Sequence, residues 1–135
     1  MSITAIRQGI EANLETISGF RAYSEIPENP QTPCAVVVLQ NIDYDQAFQR
    51  GLVVMQFQVT AIVSRFSAQQ AQENLNDYAD NSGSKSIKVA IESDKTLSGS
   101  AFDVQVSSMT GIGNIDLNDG NNYLSIDFSV TVYAN

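Results

Sequence analysis

Two long stretches of the chain alternate apolar and polar residues with a period of two. In 52–64, Val53, Met55, Phe57, Val59, Ala61 and Val63 fall on one side. Gln56, Gln58, Thr60 and Ser64, joined by Val54 and Ile62, fall on the other. Near the end, Leu124, Ile126, Phe128, Val130 and Val132 alternate with Ser125, Asp127, Ser129 and Thr131. Successive side chains of a β-strand point to opposite faces, so each stretch reads as a strand with one buried and one hydrated side. Phe102, Val104 and Val106, alternating with Asp103, Gln105 and Ser107, add a third strand of the same kind. Cys34 to Leu39 is an unbroken apolar, β-branched run, which predicts a strand buried on both faces. Gly111 to Asn122, rich in Gly, Asn and Asp, predicts a hairpin tip.

Helical spacing appears elsewhere. Ile3, Ile6, Ile10, Leu14 and Ile17 recur every three or four residues, a single stripe along a helix of about four turns. Ser2 caps its start and Ser18-Gly19 its end. Phe20 to Tyr23 is a short extended piece. Pro27, Pro30 and Pro33 make the following segment a stiff loop, and Asn41 to Gly51 reads as a further connection. Ser67 with Gln70 forms a capping box ahead of Ala71, Leu75 and Tyr78, and Ile87, Ala90 and Ile91 mark a short third helix. The order is α-β-β-β-α-α-β-β: an α+β fold with one mostly antiparallel sheet and helices packed on one face. Residues 1–135 read as a single domain, with apolar content of 43% and charged content of 16%, the balance of an ordered chain.

The residues that carry most chemistry are missing. With no histidine and one cysteine, the chain has no imidazole metal site, no thiolate cluster and no Ser-His-Asp or Cys-His arrangement. Gly111-Ile112-Gly113 starts like a dinucleotide loop, but Asp116 stands at the third glycine position and no helical pattern follows. Aligning Gly120 with the glycine of a calcium loop puts Ile115 and Leu117 at ligand positions, which fails. The pairs Asp43 with Asp45 and Asp77 with Asp80 read as surface carboxylates, the second pair neutralised by Lys85 and Lys88 across a turn. Cys34 reads as an inert buried thiol. No catalytic residue, cofactor or metal is expected. The net charge of −8 opposes tight binding to phosphate backbones. The first residues lack a secretory leader and no window is long and apolar enough to span a bilayer, so synthesis in the cytoplasm is expected.

What remains points to assembly. Residues 52–63, 102–110 and 123–133 contain no lysine or arginine, although soluble monomers usually guard sheet edges with such charges, with proline or with bulges. Either helices and loops of the same chain cover those edges, or a neighbouring subunit does. Within the connection 41–51, Ile42, Tyr44 and Phe48 supply large side chains and Arg50 stands close by. Tyr, Phe and Arg are enriched at interface centres. Tyr44, Phe48 and Arg50 are therefore the candidate contacts with a subunit or partner, the competing role being to plug the end of the core.

The sequence resembles the tail terminator, or tail-completion, proteins of bacteriophages with long, non-contractile tails. The resemblance runs from the helix Ile3–Ile17 with Ser18-Gly19-Phe20-Arg21 through Pro33-Cys34-Ala35-Val36-Val37 and Ile42-Asp43-Tyr44-Asp45. It continues over Phe48-Gln49-Arg50-Gly51, Val63-Ser64-Arg65, Leu75-Asn76-Asp77-Tyr78, Ser86 to Glu92 and Leu97-Ser98-Gly99. It implies a structural protein of the virion tail and neck that forms a homo-oligomeric ring, a hexamer, on the last ring of the tail tube. Its implied partners are further copies of itself, the tail-tube protein and the head-completion or connector protein, with DNA passing through the centre and no membrane involved. Related roles are a head-closure or adaptor protein, or a tube subunit. A small-ligand-binding or enzymatic α+β domain that works through carboxylates is the reading from a different class.

Overall fold

The computed structural model describes residues 2–24, 33–44, 52–64, 68–116 and 122–134. The chain order is α1 (Ile3–Leu14), β1 (Arg21–Tyr23), β2 (Cys34–Asp43), β3 (Val53–Ser64), α2 (Ala68–Ala79), α3 (Ile87–Ile91), β4 (Asp103–Asp116) and β5 (Asn122–Ala134). The five strands form one sheet in the order β1-β2-β3-β5-β4. Every neighbouring pair is antiparallel except β1 with β2, which is parallel. The fold class expected from the sequence is the one observed.

The alternation in β3 and β5 explains the layering. Met55, Phe57, Val59, Ala61 and Val63 of β3 and Ile126, Phe128, Val130 and Val132 of β5 are all buried in one cluster. That cluster also takes Ile6, Ile10 and Leu14 of α1, Leu75 and Tyr78 of α2, and Ile87, Ala90 and Ile91 of α3. All three helices therefore cover the same face. Fully burying side chains of this size is worth roughly 1.5–3 kcal/mol each, so the face-to-helix layer is the main source of stability. Ser2 caps α1 as expected, its Oγ accepting from Ala5 N, and Ser86 caps α3 by accepting from Val89 N. Ile17 lies beyond the last helical turn yet stays buried, and Gly19 turns the chain with a φ of 74°. Ser67 of the expected capping box lies outside the described residues.

Three expectations need correction. β2 does not stop at Leu39; it passes a register shift between Leu39 and Asn41 and pairs with β3 as far as Asp43. Only Cys34 to Val37 is buried on both faces, and Val38 is already 42% exposed. Gly111 to Gly113 is not a hairpin tip either. β4 continues to Asp116, with register shifts between Val106 and Ser108 and between Thr110 and Gly113. Gly111 has a φ of 64°, the left-handed geometry that lets a strand bulge without ending. Phe102 is not an inward residue of that strand: it precedes the first paired residue and is 58% exposed.

Candidate assembly interface

β4 is an edge strand, and its two halves are treated differently. Next to its start, the Val104 N–H is accepted by the Asp103 carboxylate at 3.0 Å. The Val106 N–H is accepted by Glu92 Oε2 at 2.9 Å, and Lys88 Nζ lies 2.6 Å from the same carboxylate and 3.5 Å from the Val106 carbonyl. Lys88 of α3 and Glu92, the residue that caps its end, are one turn apart, and α3 packs on β4. The pair thus occupies main-chain groups that another strand would need. Lys95 stands 3.8 Å from Asp103 and adds a charge beside the same half.

From the sequence, Lys88 is expected beside the Asp77 and Asp80 carboxylates. In the structure Lys88 turns to Glu92 and the strand instead, because the i,i+4 spacing brings them together on one helix face. Asp77, Asp80 and Lys85 line an open depression with Ser82, Gly83 and Ser84. Burial pushes the Glu92 carboxyl up, but the hydrogen bonds from Lys88 and the Val106 N–H and the charges of Lys88 and Lys95 outweigh it, holding it below its ordinary value.

Past the first register shift, no described residue guards the edge in this way. Ser107, Ser108, Met109, Thr110, Gly111 and Gly113 are all exposed. Met109 is paired with Phe128, which places it on the helix-covered face, yet it remains 40% exposed. A groove of about 360 Å³ runs beside it, lined by Ala79, Lys88, Val106, Met109 and Phe128 among others.

The other end of the sheet has a matching open stretch. β1 pairs only with Cys34, Ala35 and Val36. From Val38 onward, among the described residues, β2 has no strand on its outer side, and Val38, Gln40, Asn41 and Asp43 are exposed. Tyr44 follows directly and is 64% exposed. Of the three candidate contacts, Tyr44 is thus placed at the end of this open stretch, while Phe48 and Arg50 lie outside the described residues.

The helix-free face of the sheet is polar at its centre. Thr60 Oγ1 donates to Asp127 Oδ1 at 2.8 Å, Gln58 Nε2 to Thr60 Oγ1 at 3.4 Å, and Thr131 Oγ1 to Gln56 Oε1 at 3.1 Å. Toward one end, Cys34, Val36, Ile62 and Tyr123 form a small second apolar cluster with Tyr23. Burial raises the Cys34 thiol to about 11, so the inert reading of this residue holds. β2, β3, β4 and β5 contain neither lysine nor arginine anywhere in their lengths; Arg21 on β1 is the sheet's single cation.

Among the described residues, no group of His, Cys, Asp and Glu is placed to hold a metal ion, and no helix is long and apolar enough to cross a membrane. Sequence reasoning missed Glu92 as the guard of β4, although a Lys-x-x-x-Glu pair on a short helix before an edge strand is a usable signal. It also missed Asn13, a buried amide within the apolar stripe of α1.

No protein-family model and no curated protein matches the sequence. Among solved structures, the chain is similar to one in the virion of a native gene transfer agent particle. The two share 14% identity over 97% of this chain and 92% of that one, with a TM-score of 0.32. That likeness is too distant to transfer a fold or a role.

Proposed function

We propose that this chain is a structural protein of a phage virion that assembles with copies of itself into a ring, caps the tail tube and joins the tail to the head connector. The observation that carries the reading is the absence of lysine and arginine from the four long strands. A soluble monomer defends a sheet edge with such charges, and here they stand at one half of β4, from Lys88 and Lys95, and at Arg21 on the short strand β1. Uncharged Ser, Thr and Gln cost less to dehydrate than charged side chains, which suits a surface that a neighbour covers. The helix-free face is polar at its centre, with Gln, Thr, Ser and Asp, and carries a single cation, Arg21, at the β1 edge, so it offers little that grips phosphate, which suits the wall of a channel that DNA traverses. The resemblance to tail terminators supplies the specific role and the partners: the tail-tube protein below and the head-completion protein above. The chain catalyses nothing in this role and needs no cofactor.

Native mass measurement and negative-stain images of the purified protein, alone and with tail-tube protein, test the proposal. Closed rings of one size are expected, together with tubes whose growth stops when the protein is added. A chain that stays monomeric in the presence of tube protein, or that polymerises without limit, overturns it.

A further inference from the structure

Among the described residues two half-edges of the sheet are open, and they are suited to each other. One is Ser107–Gly113 of β4, the other Val38–Asp43 of β2. Ser107 to Gly111 and Gly113 are exposed, as are Val38, Gln40, Asn41 and Asp43, and neither stretch contains lysine or arginine. Both carry one exposed large apolar residue, Met109 at 40% and Val38 at 42%. Because β2 is antiparallel to β3, β3 to β5, and β5 to β4, β2 and β4 run in opposite directions. A second copy placed beside the first in the same orientation therefore brings β4 against β2 as an antiparallel pair. We propose that Ser107–Gly113 of one copy hydrogen-bonds to Val38–Asp43 of the next, so that the sheet continues from subunit to subunit around the ring. This rests on the assembly proposed above and names the surfaces that make it.

The geometry of the two half-edges supports closure. Thr110, near the middle of one, is level with Asp127 of β5, and Asn41, near the middle of the other, is level with Gln56 and hence with Thr131. Joining them shifts each copy along the strands by at least the four residues between Asp127 and Thr131. At about 3.3 Å per residue, and about 4.8 Å between strands, four strands and four residues give a tilt of about 35° or slightly more. Closed sheets tilt their strands by about 35–45°. Pairing without the offset would run the added strand into Glu92 and Lys88, which already hold Val106. The guard therefore sets where the neighbour docks and leaves a single register zone. Met109 and the groove beside it are then covered by the neighbour's β2, and Tyr44 falls at the rim of the contact.

Cysteine cross-linking tests this. Asn41 pairs with Gln56, and Thr110 and Gly113 with Asp127 and Ser125, so all three sit on the helix-free face. No atom lies within 4 Å of a Cβ added at Gly113, so that substitution fits. The buried Cys34 does not compete. Asn41→Cys combined with Thr110→Cys, and Asn41→Cys combined with Gly113→Cys, should give, on oxidation, a ladder of covalent multimers ending at the ring size in at least one of the two. Each single variant should give no ladder. Dimers from Thr110→Cys alone would mean that β4 pairs with β4, and would overturn the proposal. Rings of normal mass with no ladder in either double variant would overturn the strand pairing while leaving the assembly intact. A chain that stays monomeric even with tube protein would overturn both. As an independent arm, Thr110→Lys should lower the ring population at least tenfold with unchanged thermal melting, and rings at wild-type level would count against the pairing.

Discussion

Asn13 offers the sharpest test of how the helical layer is tied together. Its amide is buried, and its Nδ2 donates to two main-chain carbonyls, Ile91 O at 2.9 Å and Asp94 O at 3.1 Å. Those oxygens belong to the end of α3 and the turn after it, so one side chain fastens α1 to α3. Asn13→Asp keeps the shape and replaces the donor with a carboxylate that faces two acceptors. The change removes two hydrogen bonds worth about 1 kcal/mol each and leaves the carbonyls without a donor. It also buries a charge near the C-terminal ends of two helices, where negative charge is disfavoured. Together these should cost on the order of 3–5 kcal/mol at pH 7, a large part of a total that is usually about 5–15 kcal/mol. The introduced carboxyl has a folded pKa above its unfolded value near ~3.9. The protonated acid is therefore favoured in the folded state, and the deficit against wild type should shrink as pH falls from 7 towards 4. Asn13→Ala, with no titrating group, should lose about 2–3 kcal/mol at every pH. Urea denaturation of the three proteins at pH 7, 5.5 and 4 measures this. A deficit for Asn13→Asp that does not change with pH, or stability equal to wild type at pH 7, would refute the reasoning.

Two other perturbations follow from the same region. A Cβ at Gly9 would lie 2.8 Å from Leu97 Cβ, and Leu97 is buried with a φ of 51° in a turn held by Asp94. Gly9→Ala should therefore destabilise by about 1–2 kcal/mol in urea, the clash outweighing the ~1 kcal/mol that Ala gains over Gly in a helix; a stabilised variant would show that the turn yields. Glu92, held below its ordinary value, contributes stability that is present above its unfolded pKa and lost as pH falls through its lower folded value. Wild type should lose stability between pH 5 and 3 more steeply than Glu92→Gln in thermal melts, and parallel curves would remove Glu92 from the latch.

The parts of the fold legible in the sequence are those where one period persists. Ile6, Ile10 and Leu14 keep a helical spacing and sit at 0% exposure, and the odd positions of β3 and the even positions of β5 keep theirs from end to end. Reading failed where the period is interrupted. Gln40 stands at the register shift of β2, and the alternation after it looks like a loop because the polar Asn41 and Asp43 follow. Ile42 then faces the core, partly buried, which the pattern alone does not reveal. Phe102 continues the spacing of Val104 and Val106 but precedes the ladder, and spacing cannot mark where pairing begins. For the candidate interface, the missing cations were visible as composition. Which edge they left open was not, since it depends on where Lys88 and Glu92 reach, a tertiary fact. Tyr44 stands out in the sequence as an aromatic residue in a polar connection, and the structure shows it exposed beside the open stretch of β2.

The two register shifts in β4 also carry a message for sequence change. Each adds one residue to β4 relative to β5: Val106 to Ser108 spans two steps against one, and Thr110 to Gly113 three against two. Like insertions in a reading frame, the first inverts the assignment of odd and even positions and the second restores it. Asp103 and Gln105, then Ser108 and Thr110, then Gly113 all take the same side. Losing the extra residue at Ser107 would leave Val106 and Ser108 as consecutive residues opposite Val130 and Ser129, so every later side chain would keep its partner and its face. Losing one residue at each shift would straighten the strand without turning any paired residue over. A deletion elsewhere in the strand has no bulge to absorb it and slips the register instead, so homologous chains that vary in length here should do so at the two shifts.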